Sequence, residues 1–204
     1  MEQLKIWRKH PDVIMPKKQT EQSACFDLSF QGHGHNSYTG FSKSNKPITR
    51  IMNHQILLTP GDRIAVPTGL IMDIPKGYSV RVHARSGLSL KQGLVLANGE
   101  GVIDSDYVEE VMVLLHNVSE NNITISNGDR IAQAELIKDV EYQVVDSAVR
   151  PGVKTSRTGG MGSTGIKTVS ELITINIDES SPLKRLDKTT PVVKRGRGRP
   201  RKNA

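Results

Sequence analysis

Arg85, Ser86 and Gly87 are consecutive residues at the predicted start of a short helix. A hydroxyl group and free backbone N–H groups beside a guanidinium form a cradle for an anion such as phosphate. Asp104 follows an apolar pair and a glycine-rich turn, where its carboxylate would be held against a bound ligand. An ordinary acidic residue at a hairpin tip is the alternative for Asp104, and this segment alone leaves both open.

Two further segments favour phosphate chemistry. Gly128–Gln133 contributes the side-chain amide of Gln133. Residues 157–165 form a glycine-rich loop that begins with Arg157, and such a loop is suited to closing over bound phosphates. Each segment alone is common, so the prediction of a phosphate site depends on all four together.

The elements that must position these residues are predicted to be short strands. Runs rich in β-branched residues recur at close spacing, and turn signals such as Pro60-Gly61 and Asn127-Gly128 separate them. This pattern predicts an all-β fold, a jelly-roll-like distorted barrel. The main predicted strands are Gln55–Leu58, Arg63–Val66, Leu70–Ile74, Tyr78–His83, Val111–His116, Asn122–Ile125 and Arg130–Ile137.

The first 53 residues are predicted to be less regular. Residues 1–23 indicate an edge strand and a connector, and Ala24–Phe30 indicates a second strand. Gly, Asn and Ser are frequent after Phe30, which predicts irregular structure. We therefore interpret residues 31–53 as a surface loop or insertion.

A short helix and a repeat complete this outline. Ser86–Gly93 predicts the helix, with Ser86 as its N-terminal cap and Gly93 as its stop. The sequence Gly61–Ala65 recurs as Gly128–Ala132, each copy after a turn signal and before a strand. We interpret the first copy as a hairpin entry without a chemical role.

The composition excludes several classes of protein. One cysteine, Cys25, cannot form an internal disulfide or a cysteine-rich zinc site. Aromatic residues make up 4% of the 204 residues, beside 18 Gly and 10 Pro, which favours turn-rich β-structure over a helical bundle. No apolar run resembles a membrane span or a signal peptide. We expect a soluble protein with no membrane partner, in the cytoplasm, or in the host cytoplasm if it is viral.

Positive charge is concentrated at the C-terminus. Residues 182–204 contain nine Lys or Arg and one Asp, a net charge of +8, whereas the whole chain carries +7. The preceding residues are therefore near neutral. After about residue 146 the sequence has little with which to form a core. It predicts a β domain over 1–145, a flexible flap over 146–165 and a mostly disordered basic extension over 166–204.

Five segments, in order, closely resemble the five motifs of the trimeric deoxyuridine triphosphatase (dUTPase) family. The resemblance spans about residues 24–165. Any one motif is weak evidence, but five in this order with sensible spacing are specific. The motifs are Ala24-Cys25-Phe26-Asp27-Leu28, Arg85-Ser86-Gly87-Leu88, Asn98 to Tyr107, Gly128 to Gln133, and Gly159 to Gly165 behind Arg157.

The resemblance implies Mg²⁺-dependent hydrolysis of dUTP to dUMP and pyrophosphate, which limits uracil in DNA and supplies dUMP for dTTP synthesis. Asp104 would activate the water that attacks the α-phosphorus. The phosphates and water would hold Mg²⁺ without direct protein ligands, and Asp27 would support the water network. The implied substrate-binding residues are Arg85, Ser86, Gly87, Asn98, Gly101, Val102, Ile103, Tyr107, Met112, Gln133, Arg157, Met161, Gly162 and Ser163.

The resemblance also implies a homotrimer with shared active sites. Each site would combine the Asn98–Met112 hairpin of one subunit with the second and fourth motifs of a neighbour and the flap of the third. The hairpin would read uracil through its backbone. Tyr107 would pack under the deoxyribose and exclude a 2′-hydroxyl, and therefore UTP.

Four residues depart from the family pattern. Cys25 replaces a frequent Gly, and Val108-Glu109 replaces the usual Arg or Gln followed by Gly. Met161 stands where the family typically has a Phe on the uracil, so we expect weaker base stacking. His33 and His35, between glycines, either bind a metal or are simply solvated.

Two rival functions are suggested by parts of the sequence. A dCTP deaminase shares the fold, but its catalytic Glu would align with Leu114, which cannot transfer protons. The tail core Arg197-Gly198-Arg199-Pro200, flanked by Arg195 and Arg201, resembles an AT-hook that binds the minor groove of A·T-rich DNA. The tail would then tether the enzyme to DNA, or the chain would be a catalytically weak DNA-binding or regulatory protein. A solubilising or nonspecific polyanion-binding tail is the alternative.

Overall fold

The computed structural model describes residues 2–156, which form an all-β fold with one short helix, as the sequence predicts. Its elements are β1 (Lys5–Arg8), β2 (Phe26–Ser29), β3 (Ser37–Phe41), β4 (Pro47–Ile51), β5 (Gln55–Leu58), β6 (Arg63–Pro67), β7 (Leu70–Asp73), β8 (Tyr78–His83), α1 (Ser86–Gln92), β9 (Leu94–Leu96), β10 (Gly101–Ile103), β11 (Met112–Asn117), β12 (Ile123–Ser126) and β13 (Arg130–Lys138).

The strands pair in antiparallel fashion, mostly with partners that are distant in sequence. A four-stranded sheet has the order β10-β8-β13-β2, and a five-stranded sheet has the order β4-β3-β6-β11-β9. The pairs β1-β7 and β12-β5 complete the fold. Alternate side chains along the strands are buried, as Ile56 and Leu58 are in β5, and they join Leu28, Phe30 and Leu115 in one core.

The main strand predictions are confirmed. Each of the seven predicted runs lies within one residue of an observed strand, because alternating apolar residues bounded by turn residues specify both the strand and its buried face. The edge strand near the N-terminus is confirmed as β1, which pairs with β7. The three-residue strands β9 and β10 escaped prediction because they are too short to show a periodicity.

The prediction of a surface loop over residues 31–53 is wrong for residues 37–51, whereas the prediction of an insertion stays a prediction. Strands β3 and β4 form a hairpin that joins the five-stranded sheet through β6. The hairpin turn contains Asn45 with φ 59°, a conformation that Asn tolerates. A Cβ on Gly40 would clash with the carbonyl oxygen of Arg63, so this glycine allows close strand contact rather than breaking the strand.

The short helix is confirmed, but its predicted cap is not. Arg85 is the N-terminal cap residue, with an extended backbone and no capping side-chain hydrogen bond. Its carbonyl accepts hydrogen bonds from the N–H groups of Leu88 and Ser89, so Ser86 is already the first helical residue. Gly93 ends the helix in the left-handed conformation, as expected of a stop.

Both copies of the repeated sequence open a strand, as expected. Asp62 accepts a hydrogen bond from the N–H of Thr59 (2.9 Å), and Asp129 accepts one from the N–H of Ser126 (2.8 Å). Asp62 is buried and also pairs with Arg50 at 2.7 Å. Burial acts to raise the pKa of Asp62, but its hydrogen bonds and the charge of Arg50 outweigh burial and lower it. The first copy therefore has a structural role.

The chain divides into two units, Met1–Val144 and Val145–Ala204. Of the second unit the structure describes residues 145–156, where no regular secondary structure is present. The predicted site residues of the flap and of the tail lie outside the described part of the chain. They are Arg157, Met161, Gly162, Ser163, Arg195, Arg197, Gly198, Arg199, Pro200 and Arg201.

None of the helices in the described residues is long and apolar enough to cross a membrane.

Candidate active site

A cavity of about 250 Å³ adjoins β10, the edge strand of the four-stranded sheet. It brings together seven residues that the sequence predicted for one site: Asn98, Gly101, Val102, Ile103, Asp104, Tyr107 and Met112. Apolar side chains complete the lining, namely those of Val82, Leu96, Val111 and Leu114. Among these described lining residues, Asp104 carries the one carboxylate.

The edge position of β10 gives the cavity unpaired backbone groups. Residues Gly101–Ile103 pair with β8 on one side, and no second strand pairs with β10 in the described sheet. An edge strand presents N–H donors and C=O acceptors on its open side. The cavity can therefore recognise a planar heterocycle by its donor and acceptor pattern without charged side chains.

Asp104 lies on a short, ordered loop that follows β10. The N–H of Tyr107 donates to the carbonyl of Asp104 at 3.2 Å, and the Tyr107 hydroxyl donates to the carbonyl of Glu110 at 3.0 Å. The Asp104 side chain is exposed, and 40% of Tyr107 is accessible. The loop thus holds a carboxylate and an aromatic ring on one wall of the cavity.

Glu110 anchors the far end of this loop, and it is not among the site residues predicted from the sequence. Its carboxylate accepts hydrogen bonds from the Gly69 N–H (2.7 Å) and the Lys9 ammonium (2.7 Å) and lies 3.0 Å from Nε2 of His35. Burial acts to raise the pKa of Glu110, but these partners outweigh burial and lower it. Acidic residues are common in loops, so the sequence gives no signal for Glu110. Its three partners in the folded chain, Lys9, His35 and Gly69, distinguish it from other acidic residues.

A second group of predicted residues meets at the sheet end formed by β2, β8 and β13. One oxygen of Asp27 lies 3.4 Å from Nε of Arg85, and the other accepts a hydrogen bond from Arg130 at 2.8 Å. Arg85 also donates to the Arg130 carbonyl at 2.7 Å. Gln133 pairs with both Asp27 and His83 in the strand register. Arg85 and Arg130 form a cationic group around Asp27, and Arg130 is not among the site residues predicted from the sequence.

The two groups are far apart within one chain. Ile103 pairs with Val80 near the start of β8, whereas Arg85 lies beyond its other end. Five residues of extended chain correspond to about 17 Å at 3.3 Å per residue, and Asp104 lies one residue further away. A single chain therefore does not bring Asp104 to the cationic group.

Ser86 and Gly87 are exposed at the start of α1. A Cβ added to Gly87 would meet no described heavy atom within 4 Å, and its φ is not in the left-handed region. The described residues thus place no steric requirement for glycine there. A requirement for glycine at position 87 would have to come from a group outside residues 2–156 of this chain.

The two candidate metal ligands in the 31–53 region do not share a site. The His33 ring stacks on the His10 ring with centroids 4.4 Å apart, and Asp12 lies close to both. His35 instead contacts Glu110. A different described cluster, Cys25 with His83 and Glu135, also has the composition of a metal site.

Comparisons with known proteins point to one family. A sequence profile of the dUTPase family matches residues 51–165. A deoxyuridine 5′-triphosphate nucleotidohydrolase from Brucella melitensis is 46% identical over 117 residues, covering 55% of this chain and 71% of that protein. A protein of the same name from Caulobacter vibrioides is 37% identical over 163 residues, covering 79% of this chain and 92% of that protein. A Staphylococcus bacteriophage 80alpha dUTPase with dUPNHPP shares the fold, with a TM-score of 0.63 at 19% identity, covering 81% and 100%.

Proposed function

The chain belongs to the dUTPase family, and we propose that it hydrolyses dUTP to dUMP and pyrophosphate with Asp104 as the residue that activates water. The observation that carries the proposal is the cavity at β10, which combines open backbone groups, apolar walls and the carboxylate of Asp104. A uracil base needs donors and acceptors in a fixed pattern, and an edge strand supplies them.

The carboxylate of Asp104 has the chemical capacity for the proposed role. As general base it would take a proton from a water molecule and direct the resulting nucleophile at the α-phosphorus. The P–O bond between the α-phosphorus and the bridging oxygen breaks, and pyrophosphate leaves on the opposite side. Because the loop after β10 is tied through Tyr107 to Glu110, Asp104 is held in place before substrate arrives.

Sugar selection is assigned to Tyr107. Its hydroxyl is engaged by the Glu110 carbonyl, so the ring cannot swing away freely from the cavity wall. A ribose 2′-hydroxyl would meet this ring, whereas deoxyribose would pack against it. Leu114 also lines the cavity. An apolar side chain at this position supports hydrolysis over deamination, because a deaminase needs a proton-transferring group beside the base.

The phosphates are assigned to Arg85, Ser86, Gly87 and Gln133. Asp27 keeps the Arg85 guanidinium near Gln133 through its 3.4 Å contact with Nε. Both oxygens of Asp27 face guanidinium groups, so the donor set suits contact with Mg²⁺ through water rather than direct ligation. Bound to the triphosphate, Mg²⁺ would neutralise charge on the phosphate oxygens.

A homotrimer with shared sites is part of the proposal. Asp104 and Arg85 belong to one reaction but lie at opposite ends of β8 in one chain. A neighbouring copy that places its own Arg85 beside Asp104 would complete the site. The flap residue Arg157, with Met161, Gly162 and Ser163, would close over the γ-phosphate and base.

The test is pyrophosphate release by the full chain with Mg²⁺ on dUTP, UTP, dTTP and dCTP. Asp104→Asn should abolish turnover, and Asp106→Asn, an exposed acidic residue outside the cavity lining, is the matched control. Turnover confined to dUTP, lost in the first variant and kept in the second, supports the proposal. Equal activity of both variants would remove Asp104 from the mechanism.

A second candidate function is DNA binding by the tail. The observation that favours it is the net charge of +8 over residues 182–204 with the Arg197-Gly198-Arg199-Pro200 core. Such a tail would bind A·T-rich duplex through its minor groove and lose affinity steeply as salt rises. Comparison of A·T-rich and G·C-rich duplexes at two salt concentrations separates specific binding from general polyanion binding.

A further inference from the structure

Cys25, His83 and Glu135 meet on the outer face of the four-stranded sheet. In the strand register Phe26 pairs with Ala134, and Gln133 pairs with His83. Side chains alternate along β8 and β13, so His83 and Glu135 project from the face opposite the buried Ala134, and Cys25, which directly precedes β2, lies close to both. They come from three different strand regions, and one ligand atom of each lies within 4.8 Å of the others.

We propose that these three side chains bind a Zn²⁺ ion, a site separate from the proposed nucleotide chemistry. Nε2 of His83 is 3.2 Å from Oε1 of Glu135. In a tetrahedral zinc site with metal–ligand lengths of about 2.0–2.3 Å, ligand atoms are about 3.3–3.8 Å apart. Small side-chain rotations therefore bring this triad to zinc geometry, with water as the fourth ligand.

Glu100 supplies the outer contact that zinc-binding histidines usually have. Its Oε1 lies 3.5 Å from Nδ1 of His83, on the side of the ring away from Glu135. A carboxylate that accepts a hydrogen bond from Nδ1 would favour the tautomer in which Nε2 can bind a metal. The Arg81 guanidinium also lies near this cluster. It is 3.8 Å from Glu100 and 3.9 Å from Asp139, so acidic groups other than Glu135 balance its charge.

The donor set favours zinc over Mg²⁺. A thiolate and an imidazole are soft or borderline ligands, whereas Mg²⁺ requires oxygen. His83 and Glu135 are about 30% exposed, which leaves the cluster open to an ion from solvent. The other described cluster, around His33, contains no sulfur, and Nδ1 of His10 already accepts a hydrogen bond from the backbone of Asp12.

The proposed site adjoins the phosphate-binding group without using its residues. Gln133 and Asp27 lie on the same sheet face, two positions from Glu135 and Cys25 along their strands. Bound zinc would link β13 to the residue before β2. These two strands also carry Gln133 and Asp27 of the phosphate-binding group. The proposal stands whether or not the chain hydrolyses dUTP, because metal binding is measured directly.

The experiment uses the full chain, stripped of metal with a chelator and titrated with Co²⁺ and with Zn²⁺. Co²⁺ should give thiolate-to-metal charge-transfer absorption, and equilibrium dialysis should give one tight Zn²⁺ per chain. Cys25→Ser and Glu135→Gln should each lose tight binding, and Glu100→Gln should weaken it about 10- to 100-fold. His33→Asn is the matched control and should bind as the native chain does.

The readout at the thiol is specific because the chain has one cysteine. Zn²⁺ should slow the reaction of Cys25 with a thiol reagent, which tests the native chain and does not depend on any variant folding. Circular dichroism of each variant identifies loss of fold. Unchanged thiol reactivity with Zn²⁺, absence of thiolate absorption with Co²⁺, or loss of binding in His33→Asn would each overturn the proposal.

Discussion

Replacing Glu110 with Gln should destabilise the fold and loosen sugar selection together. The carboxylate is 10% exposed and has close contacts with the Lys9 ammonium, the Gly69 N–H and His35. Gln keeps the shape and one acceptor oxygen but removes the charge. Hydrogen bonds to charged groups contribute about 1.5–3 kcal/mol each, and Lys9 is partly solvated, so we expect a loss of about 1–3 kcal/mol.

The pH dependence of this loss has a definite sign. The pKa of Glu110 is lowered in the folded chain because the hydrogen bonds outweigh burial. Its charge therefore stabilises the fold above the ordinary pKa of Glu, about 4.3, and this contribution disappears as the pH falls through the lowered value. Gln has no charge to lose. The stability gap between the native chain and Glu110→Gln should be largest at neutral pH and close in acid.

Thermal or urea unfolding at equal protein concentration measures the gap, and equal concentration matters if the protein is a trimer. Glu109→Gln, the exposed neighbour, is the matched control and should lie within about 0.5 kcal/mol of the native chain. The Glu110 side chain fixes the position of the backbone carbonyl to which Tyr107 donates, so the ratio of kcat/KM for dUTP over UTP should fall in Glu110→Gln alone. Equal effects of both variants, or a gap that persists in acid, would refute this reasoning.

Gly40→Ala should lower the free energy of unfolding by about 2–3 kcal/mol, because the added Cβ would clash with the backbone of β6. Gly87→Ala should instead keep full stability and raise KM for dUTP. Urea melts beside steady-state kinetics check the pair, and intact kinetics in Gly87→Ala would remove that residue from the site. Asp62→Asn should lower stability by about 2–3 kcal/mol at neutral pH and less in acid, since the pKa of Asp62 is lowered; a gap that does not shrink would count against this. Deleting residues 182–204 should abolish binding to A·T-rich duplex in gel-shift assays without changing kcat/KM on dUTP, and retained binding would assign any DNA affinity to the β domain.

Many of the residues in the catalytic proposal could be predicted from short sequence motifs. The residues from Asn98 to Met112 lie in one continuous segment, so a short loop must keep Asp104 and Tyr107 together wherever the segment packs. The main strands were accessible for the same reason, because alternation of apolar residues fixes a strand and its buried face with no knowledge of its partner.

The sequence did not predict the roles of Glu110 and Arg130 or the β3–β4 hairpin. The importance of Glu110 comes from Lys9, His35 and Gly69, which long-range packing brings to it. The hairpin contains residues typical of loops, but contact with β6 offsets their weak preference for extended structure.

The main strands, the short helix and the motifs that carry the chemistry could be predicted from the sequence alone, because these depend on neighbours in the chain. The tertiary structure decided which motifs share a surface. It separated Asp104 from Arg85 along β8 and joined Cys25, His83 and Glu135, residues far apart in sequence. Strand pairing across long sequence separations sets such distances, and the burial of the whole core, rather than any local pattern, selects that pairing.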